Sequence, residues 1–327
     1  MQREIFAADF RDRIVHHLVY NCLYPLYDKQ FIYDSYSCRV GKGTHFGIQR
    51  VKRFMRASSE NFTKETWVLK LDVKGFFMGI DKEILYQQMV GDDFLLKLIH
   101  QIIFHDPTKD CIIRGSKSDR IGLPSDKSLF HCRPNTGLPI GNLTSQLFAN
   151  IYLHALDHYI KYELGFRWYG RYVDDFVLFH QDKQKLLEAI PLIRSFLADQ
   201  LHLTLHPKKI SLQSVSHGLL FLGSVIKPYR SYLRRRTLGK RYQKIKKLNE
   251  TFDHDQTLAV MNSYLGMTQH YCSYTLACIM WKQCNNRIRS AFSLASNHKK
   301  IKPLVRKLRC AELKHLIPQG YWKGSMW

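Results

Sequence analysis

Three aspartates in apolar surroundings are the residues of this sequence best suited to chemistry. Asp174 and Asp175 are adjacent within the apolar stretch 167–179, and Asp72 ends another apolar stretch much earlier in the chain. Two carboxylates held together repel each other unless a cation lies between them. A solvated turn with incidental acids is the simpler interpretation of an Asp-Asp pair alone. The apolar frame and the third acid favour a cation site.

The cation that best fits this pattern is Mg²⁺, with Mn²⁺ as an alternative. Mg²⁺ is a hard ion that prefers oxygen ligands, and carboxylates supply them. Two such ions about 3.5–4 Å apart stabilise both the attacking and the leaving oxygen of a phosphoryl transfer. Asp72, Asp174 and Asp175 therefore predict a two-metal phosphoryl-transfer site. Acids with a purely structural role are the alternative.

Short β-strands are the elements that would position these acids. Residues 169–172 and 176–179 predict the two strands of a hairpin with Val173-Asp-Asp175 at its tip, because aspartate tolerates turn geometry. Residues 67–73 predict a third strand, which carries the first acid and which we expect beside the hairpin. A further strand or hairpin is expected over 218–225.

Apolar residues at helical spacing predict helices around these strands. The predicted helices cover 9–27, 44–58, 82–89, 144–159 and 183–200. The first has Phe10, Ile14, Leu18 and Leu23 as its expected apolar face, and Pro25 is expected to interrupt it. Residues 3–7 predict a short strand. Residues 106–135, rich in polar residues, Gly and Pro, predict a long excursion, with a hairpin as one interpretation.

The net charge favours a polyanionic partner. The 327 residues include 50 Lys and Arg against 27 Asp and Glu, a formal charge of +23. Such an excess is typical of proteins that bind nucleic acid, and an acidic membrane surface is the competing partner. No apolar run approaches the ~20 residues that cross a bilayer, and no signal-peptide pattern opens the chain. We therefore expect a cytoplasmic protein with no membrane partner.

The distribution of basic residues predicts a domain boundary. The chain is long enough for roughly two domains at ~150 residues each. Residues 227–249 hold ten Lys or Arg and no acid. We expect a domain change near residue 230, followed by a helical and basic region over 255–327.

Five short motifs, in order along the chain, resemble the palm motifs of reverse transcriptases. They are Leu71-Asp-Val-Lys-Gly-Phe-Phe77, Gly137-Leu-Pro-Ile-Gly141, Tyr172-Val-Asp-Asp175, His206-Pro-Lys-Lys209 and Phe221-Leu-Gly223. Segments 3–5, 10–15 and 38–45 resemble the fingers of the same enzymes. The resemblance covers roughly residues 3–275, and a Y-x-D-D box alone would be far less specific.

The resemblance implies an α+β right-hand polymerase with a ferredoxin-like palm and a helical thumb. The implied domains are partial fingers over 1–66, palm over 67–90 and 137–228, an excursion of fingers or palm over 91–136, and a basic helical thumb with the C-terminal region over 229–327. Relatives carry a further fingers strand before Arg3. Either the true start lies upstream, or the fingers are truncated at the N-terminus and activity is in doubt.

The stretch Gly141-Asn-Leu-Thr-Ser-Gln146 resembles the signature of reverse transcriptases from diversity-generating retroelements. Retron and group II intron enzymes usually end this segment in Ser-Pro. Members of the first group copy a template RNA into cDNA with frequent errors opposite adenine. The implied partners are template RNA, cDNA or primer, dNTPs and a small basic accessory variability protein. An antiviral-defence reverse transcriptase and a catalytically inactive RNA-binding derivative are the alternatives.

The resemblance also implies roles for residues of the metal site. Asp72 and Asp174 would bind both metal ions, and Asp175 would help to shape the site. The backbone of Val73 is a further expected ligand. Either Lys208 or Lys209 would protonate the pyrophosphate leaving group, and the sequence does not separate these two lysines.

Further roles concern the incoming nucleotide. Arg3 would contact the triphosphate, since a guanidinium binds phosphate oxygens in pairs. Phe77 would be the steric gate that excludes a ribose 2′-OH, with Phe76 competing for the role. Gly141 lies in the segment under the template base and the nucleotide. Ile140 replaces a glutamine of many replicative relatives, which removes a polar constraint and suggests lower fidelity; a neutral lineage difference is the alternative.

Basic and aromatic residues are expected to contact template and primer. Lys and Arg neutralise phosphates without reading sequence. The expected contacts are Arg39 and Lys42 in a glycine-punctuated loop, Tyr172, Phe221, Leu222 and Gly223 near the primer end, and Arg234, Arg235 and Arg236 in the thumb.

Overall fold

The computed structural model describes residues 3–114, 123–271 and 274–304. The chain divides into two compact units, Met1–Tyr229 and Arg230–Trp327. The first unit is built on a four-stranded antiparallel sheet with helices, and the second is mainly helical. Within the described residues, no helix combines the length and the apolar character that crossing a membrane requires.

Four short strands form the central sheet of the first unit. They are β1 (Trp67–Asp72), β2 (Trp168–Tyr172), β3 (Asp175–His180) and β4 (Ser211–Ser214). Their order across the sheet is β2-β3-β1-β4, and all neighbours are antiparallel. The predicted hairpin is therefore formed by β2 and β3, and β1 lies beside it as expected.

Both faces of this sheet are buried, which explains the long apolar runs in its central strands. Successive side chains of a strand point to opposite faces. On β3, Phe176 and Leu178 belong to one core cluster, whereas Val177 and Phe179 belong to another. Strands covered on both sides are nearly continuous in apolar residues, so the apolar frame of the acids follows from their central position.

Among the described residues of the first unit, eight α-helices pack around the sheet. They are α1 (Phe10–Asp28), α2 (Thr44–Ser58), α3 (Phe76–Gly79), α4 (Lys82–Gln87), α5 (Asp93–Phe104), α6 (Leu143–Tyr152), α7 (His154–His158) and α8 (Lys183–Leu201). Helix α2 contacts β2 and β3, and α8 contacts β1 and β3. Aspartate side chains accept backbone N–H groups at the start of α1, α4, α5 and α8, which is a common helix cap.

Helix α1 differs from its prediction in two ways. Its buried residues are Val19, Leu23 and Tyr27, whereas Phe10, Ile14 and Leu18 are exposed. The helix has two apolar stripes, and periodicity alone does not tell which of them faces the core. The helix also continues through Pro25 to Asp28, because packing of the buried stripe on either side of the proline offsets its local cost.

The predicted strand over residues 3–7 is wrong. Residues 3–9 have no regular structure, and the backbone N–H of Phe6 donates to the carbonyl of Ile140 at 2.8 Å. A strand needs a ladder of such bonds with a neighbouring strand. Since Ile140 lies in a turn-rich segment, it offers no strand to pair with.

Two further predictions need correction. Helix α4 ends at Gln87, two residues before the predicted end. The described parts of the excursion, 106–114 and 123–135, contain two single 3₁₀ turns, Ser125–Lys127 and Leu129–His131, and no strand. The predicted hairpin is therefore absent from these parts, and residues 115–122 lie outside the described residues.

A second hairpin lies near the end of the first unit, as predicted. It consists of β5 (Leu219–Phe221) and β6 (Ser224–Lys227), which are antiparallel. Leu222 and Gly223 form its tip with φ angles of +48° and +78°. Positive φ at both tip residues matches the twist of the strands on either side.

The second unit is not all helical, although the sequence predicted that it would be. It contains β7 (Arg230–Leu233), α9 (Arg235–Glu250), α10 (His254–Thr268), α11 (Tyr274–Lys282), α12 (Asn286–Ala291), β8 (Phe292–Leu294) and β9 (Ile301–Pro303). Strands β8 and β9 form an antiparallel hairpin. Phe292 and Ile301 from this hairpin join the buried cluster of the helices, so tertiary packing stabilises strands that periodicity did not predict.

Candidate active site

The three predicted acids meet at one end of the central sheet. Asp72 lies directly opposite Asp175 in the pairing of β1 with β3. One residue further along, the backbone N–H of Val73 donates to the carbonyl of Asp174 at 3.1 Å. Antiparallel pairing thus places residues from two distant parts of the sequence side by side, as predicted.

Burial and mutual repulsion act on two of these carboxylates. Burial, and next the charge of Asp72, raise the pKa of Asp174 to about 6. Burial also raises the pKa of Asp175, although Lys70 opposes this shift. Each shift reflects a cost of keeping negative charge at this end of the sheet. A cation bound among the acids would reduce that cost.

Two lysines supply positive charge to the acids. The ammonium of Lys209 donates to both carboxylate oxygens of Asp72, at 2.7 and 2.8 Å. The ammonium of Lys70 lies 3.1 Å from a carboxylate oxygen of Asp175. These two ammonium groups offset part of the negative charge of the acids. Lys208 is exposed, and its backbone N–H bonds to His206, so the structure brings Lys209 to the acids.

The donor set fits a divalent metal ion in its chemistry. Three carboxylates and the nearby backbone offer the oxygen ligands that Mg²⁺ prefers. As the side chains stand, the described residues contain no group of three His, Cys, Asp or Glu that could hold a metal ion. Lys209 engages both oxygens of Asp72, so metal binding would require it to release that carboxylate.

The two adjacent phenylalanines after β1 differ in burial. Phe76 is 3% exposed and belongs to the core cluster, whereas Phe77 is only partly buried and packs against that cluster. Phe77 therefore retains accessible ring surface next to the strand that carries Asp72. This favours Phe77 over Phe76 for contact with a sugar.

The turn-rich segment before α6 is held against the N-terminal residues. The carbonyl of Ile140 accepts the N–H of Phe6, as described above. Gly141 has a φ angle of +134°, and a Cβ atom there would collide with the carbonyl oxygen of Phe6. Only glycine fits this close approach. Arg3 is exposed on the same N-terminal segment.

Comparison with known proteins identifies the family. Residues 2–226, more than half of the chain, match the family model described as reverse transcriptase (RNA-dependent DNA polymerase). The chain belongs to the reverse transcriptase family. Enzymes of this family generally use divalent metal ions, which agrees with the oxygen-rich end of the sheet.

Curated relatives match this chain over part of their length. Protein YkfC of Escherichia coli strain K12 is 26% identical over 256 residues, which are 68% of this chain and 62% of YkfC. The group II intron-encoded protein LtrA of Lactococcus lactis subsp. cremoris is 25% identical over 158 residues, which are 48% of this chain and 23% of LtrA. The chain therefore spans less than two thirds of either relative.

A solved structure supports the fold of this chain. The telomerase of Candida tropicalis in complex with the TWJ fragment of telomeric RNA aligns with a TM-score of 0.50 at 12% identity, over 85% of this chain and 46% of that chain. At such low identity the likeness shows the fold alone. That fold is the α+β right-hand polymerase expected from the sequence, with fingers, palm and helical thumb.

In the glycine-punctuated loop, the position of Arg39 differs from the expected contact with nucleic acid. The guanidinium of Arg39 is buried and binds the carboxylate of Asp28 and the carbonyls of Asp28, Ile32 and Ser35. Arg39 therefore shapes the loop and does not present its charge to nucleic acid. Lys42 lies 4.6 Å from the ring centre of Tyr33, and burial lowers its pKa to about 8.

The residues expected at the primer end separate into buried and exposed ones. Phe221 is fully buried, so its ring supports the hairpin from the core and cannot touch a primer. Leu222 is partly exposed and Gly223 is exposed at the hairpin tip. The hydroxyl of Tyr172 accepts from Thr44 at 3.4 Å, which connects β2 with the start of α2.

The basic residues of the second unit also separate by burial. Arg234, Arg235 and Arg236 are exposed where α9 begins. Arg241 is fully buried, and its guanidinium lies 5.3 Å from the ring centre of Tyr264. The basic stretch 227–249 is therefore not a uniform surface for phosphate contacts.

Sequence reasoning missed two charged residues of the palm. Lys70 precedes Asp72 by two positions, so both lie on the same face of β1, and this spacing was an available signal. Arg171 is fully buried on β2 and binds Asp157. A single arginine inside an apolar strand signals a buried partner, but the sequence does not show which acid that partner is.

Proposed function

We propose that this protein is an RNA-directed DNA polymerase that makes cDNA from a template RNA by two-metal nucleotidyl transfer. The observation that carries the proposal is the meeting of Asp72, Asp174 and Asp175 at one end of the palm sheet in a member of the reverse transcriptase family. The chain also has a formal charge of +23, which suits a nucleic-acid substrate.

In this proposal Asp72 and Asp174 hold two Mg²⁺ or Mn²⁺ ions, and Asp175 shapes the site. The backbone of Val73 completes the set of oxygen ligands. When bound, such ions stabilise the charges that develop on the attacking and leaving oxygens. Lys209, released from Asp72, donates a proton to the pyrophosphate leaving group.

The remaining roles rest on the motif resemblance, and the exposure of each side chain is compatible with them. Phe77 excludes the 2′-hydroxyl of a ribonucleotide, and Arg3 binds the triphosphate of the dNTP. Lys42 and the exposed Arg234, Arg235 and Arg236 bind the phosphates of template and primer. Tyr172 and the tip residues Leu222 and Gly223 lie against the primer.

We further propose that the template RNA belongs to a diversity-generating retroelement and that copying is error-prone. The stretch that ends in Gln146 supports this type, and Gln146 contacts the loop that contains Cys38. The thiol of Cys38 donates to the side-chain oxygen of Gln146 at 3.1 Å, and Asn150 donates to the carbonyl of Ser37 at 2.8 Å. A proline at position 146 would lack this acceptor. A small basic accessory protein is the expected partner.

Primer extension on an RNA template with Mg²⁺ and dNTPs tests the polymerase activity. We expect the wild-type chain to extend the primer and Asp174→Ala to lose at least about 100-fold in rate, because a carboxylate ligand is gone. Asp199→Ala, at an exposed acid of α8, is the matched control and should retain activity. RNA binding without extension by the wild-type chain would instead favour the inactive RNA-binding alternative.

Misincorporation opposite adenine tests the error-prone function. The side chain of Ile140 is apolar and has no hydrogen-bonding group to offer the nascent base pair. We expect Ile140→Gln to lower the misincorporation frequency, since the amide restores a polar constraint. An unchanged error frequency in an otherwise active variant would contradict this role of Ile140.

A further inference from the structure

Arg171 and Asp157 form a fully buried ion pair next to the catalytic turn. The Nε and Nη2 atoms of Arg171 each donate to a carboxylate oxygen of Asp157 at 2.7 Å. Both side chains have no solvent exposure. Arg171 lies on β2, and Asp157 lies on α7 behind the sheet.

The same guanidinium also holds the backbone just before the catalytic acids. Its Nη1 donates to the carbonyl of Val173 at 3.1 Å and to the side-chain oxygen of Asn150 at 3.3 Å. Its Nη2 donates to the hydroxyl of Ser35 at 3.3 Å. The guanidinium therefore ties the turn to three other parts of the palm and fingers.

Val173 has a strained backbone. Its φ angle is +56°, which lies in the left-handed region. A β-branched residue rarely adopts this conformation, and it persists only where the surroundings hold it in place. The bond from Arg171 to the Val173 carbonyl is one such restraint, and Asp174 is the next residue in the chain.

Stability alone is a weak reason for this arrangement. Moving two charges from water into the core has a desolvation cost that offsets most of their mutual attraction. A buried ion pair therefore contributes little net stability. An apolar pair of similar size would fill the same space. The pair therefore needs a second role, and the strained turn beside it offers one.

We propose that Arg171 and Asp157 are a positioning pair that holds the Val173 turn and thereby fixes the carboxylate of Asp174 beside Asp72 for metal binding. The inference rests on the proposed role of these acids as metal ligands. Asp157 orients the guanidinium, and Arg171 transmits that orientation to the turn. Neither residue touches metal or substrate.

Metal binding in the absence of nucleic acid tests the pair. Mn²⁺ binding, measured by electron paramagnetic resonance, is compared between the wild type, Arg171→Lys and the double variant Arg171→Met/Asp157→Leu. Arg171→Lys keeps the charge opposite Asp157 and loses the fork that reaches Val173. We expect both variants to remain folded by thermal melting and to bind Mn²⁺ about tenfold more weakly, as is typical when a residue that supports metal ligands is lost.

Rescue by glycine separates positioning from a general loss of structure. Glycine adopts a positive φ angle without strain. Val173→Gly, added to Arg171→Lys, should therefore recover much of the lost Mn²⁺ affinity. In primer extension, the unrescued variants should show a lower kcat and a higher half-saturating Mg²⁺ concentration, with an unchanged KM for dNTP.

A second ion pair of the same unit, at the protein surface, provides a control. Lys64 lies 2.8 Å from a carboxylate oxygen of Glu60, and neither residue has a described bond to Arg171 or Val173. Lys64→Ala/Glu60→Ala should leave Mn²⁺ affinity unchanged. The positioning role would be overturned if folded Arg171→Lys bound Mn²⁺ as tightly as the wild type. It would also be overturned if Val173→Gly did not restore the weakened affinity. Absence of Mn²⁺ binding by the wild type would contradict the metal role of the acids itself, and the positioning role with it.

Discussion

At the scale of single residues, neighbours in the sequence differ sharply in what they can reach. Phe76 is in the core while Phe77 retains exposed ring surface, and Lys209 binds Asp72 while Lys208 points to solvent. The sequence motifs leave both choices open. Burial and hydrogen bonding favour Phe77 and Lys209, and each choice leads to a test with its neighbour as the control.

The proposed role of Phe77 as the steric gate predicts that substitutions at the two phenylalanines differ in their effects on sugar preference and stability. We expect Phe77→Ala to raise the ratio of rNTP to dNTP incorporation by at least about tenfold, because space opens for the 2′-hydroxyl. Phe76→Ala should instead destabilise the protein by about 3–5 kcal/mol through a core cavity, with the sugar preference retained. Single-nucleotide incorporation and thermal melting measure the two effects. An equal sugar preference in wild type and Phe77→Ala would contradict the gate.

The proposed role of Lys209 as the general acid predicts that substitutions at the two lysines differ in their effect on kcat. Lys209→Ala should lower kcat by about 100-fold, which is typical for loss of a positioned proton donor. Lys208→Ala should stay within a few-fold of the wild type, since only Lys209 of the two has a described contact with the acids. Pre-steady-state primer extension measures both rates. A larger defect in Lys208→Ala would assign the proton donor to the other lysine.

At the scale of elements, α7 carries a half-buried histidine that we expect to make the fold sensitive to acid. The Nδ1 atom of His154 is buried and has no hydrogen-bond partner among the described residues. Burial lowers the pKa of His154 to about 4, from an ordinary value of 6.5. Between these values the unfolded chain binds a proton that the folded chain does not, so stability falls as the pH falls.

A substitution that cannot titrate should reduce this acid sensitivity. His154→Phe keeps an aromatic ring against Phe31, whose centre lies 5.7 Å away. Relative to the wild type, we expect the variant to gain up to about 1 kcal/mol in free energy of unfolding as the pH falls from about 7 to about 5, because solvent reaches part of the ring and screens the charge. Denaturant unfolding at the two pH values measures the gain. Parallel pH dependences of both proteins would contradict the role of His154.

At the scale of the whole molecule, the net charge of +23 should dominate nucleic-acid affinity. Each neutralised phosphate contributes about 0.9 to the slope of log affinity against log salt for duplex DNA, and less for single strands. Substituting the exposed Arg234, Arg235 and Arg236 together by Ala should reduce that slope by about 2.7 if each arginine neutralises one phosphate. Equilibrium binding to a template–primer duplex at several salt concentrations measures it.

The buried arginine of the same basic stretch is the control for this experiment. Arg241 has no solvent exposure and lies among Met267, Met280 and Tyr264. Arg241→Met should leave the salt slope unchanged, because a buried charge contacts no phosphate. A slope that is the same in the triple variant and the wild type would show that the three exposed arginines do not bind the nucleic acid.

The sequence by itself determined the strands that carry the acids, the tip of their hairpin and the resemblance to the polymerase family. These features depend on local chemistry, since turn residues and alternation act over a few positions. The motif order then predicted that Asp72 and the adjacent pair Asp174 and Asp175 would meet, and the register of β1 with β3 confirms it.

Only the tertiary structure decided which side chains face the site and which are buried. It turned Arg39 and Arg241 inward, placed Lys70 against Asp175, and buried the second apolar stripe of α1 instead of the first. It also paired Arg171 with Asp157 behind the catalytic turn. The physical reason is that burial and ion pairing depend on partners distant in sequence, whose identity local spacing does not contain.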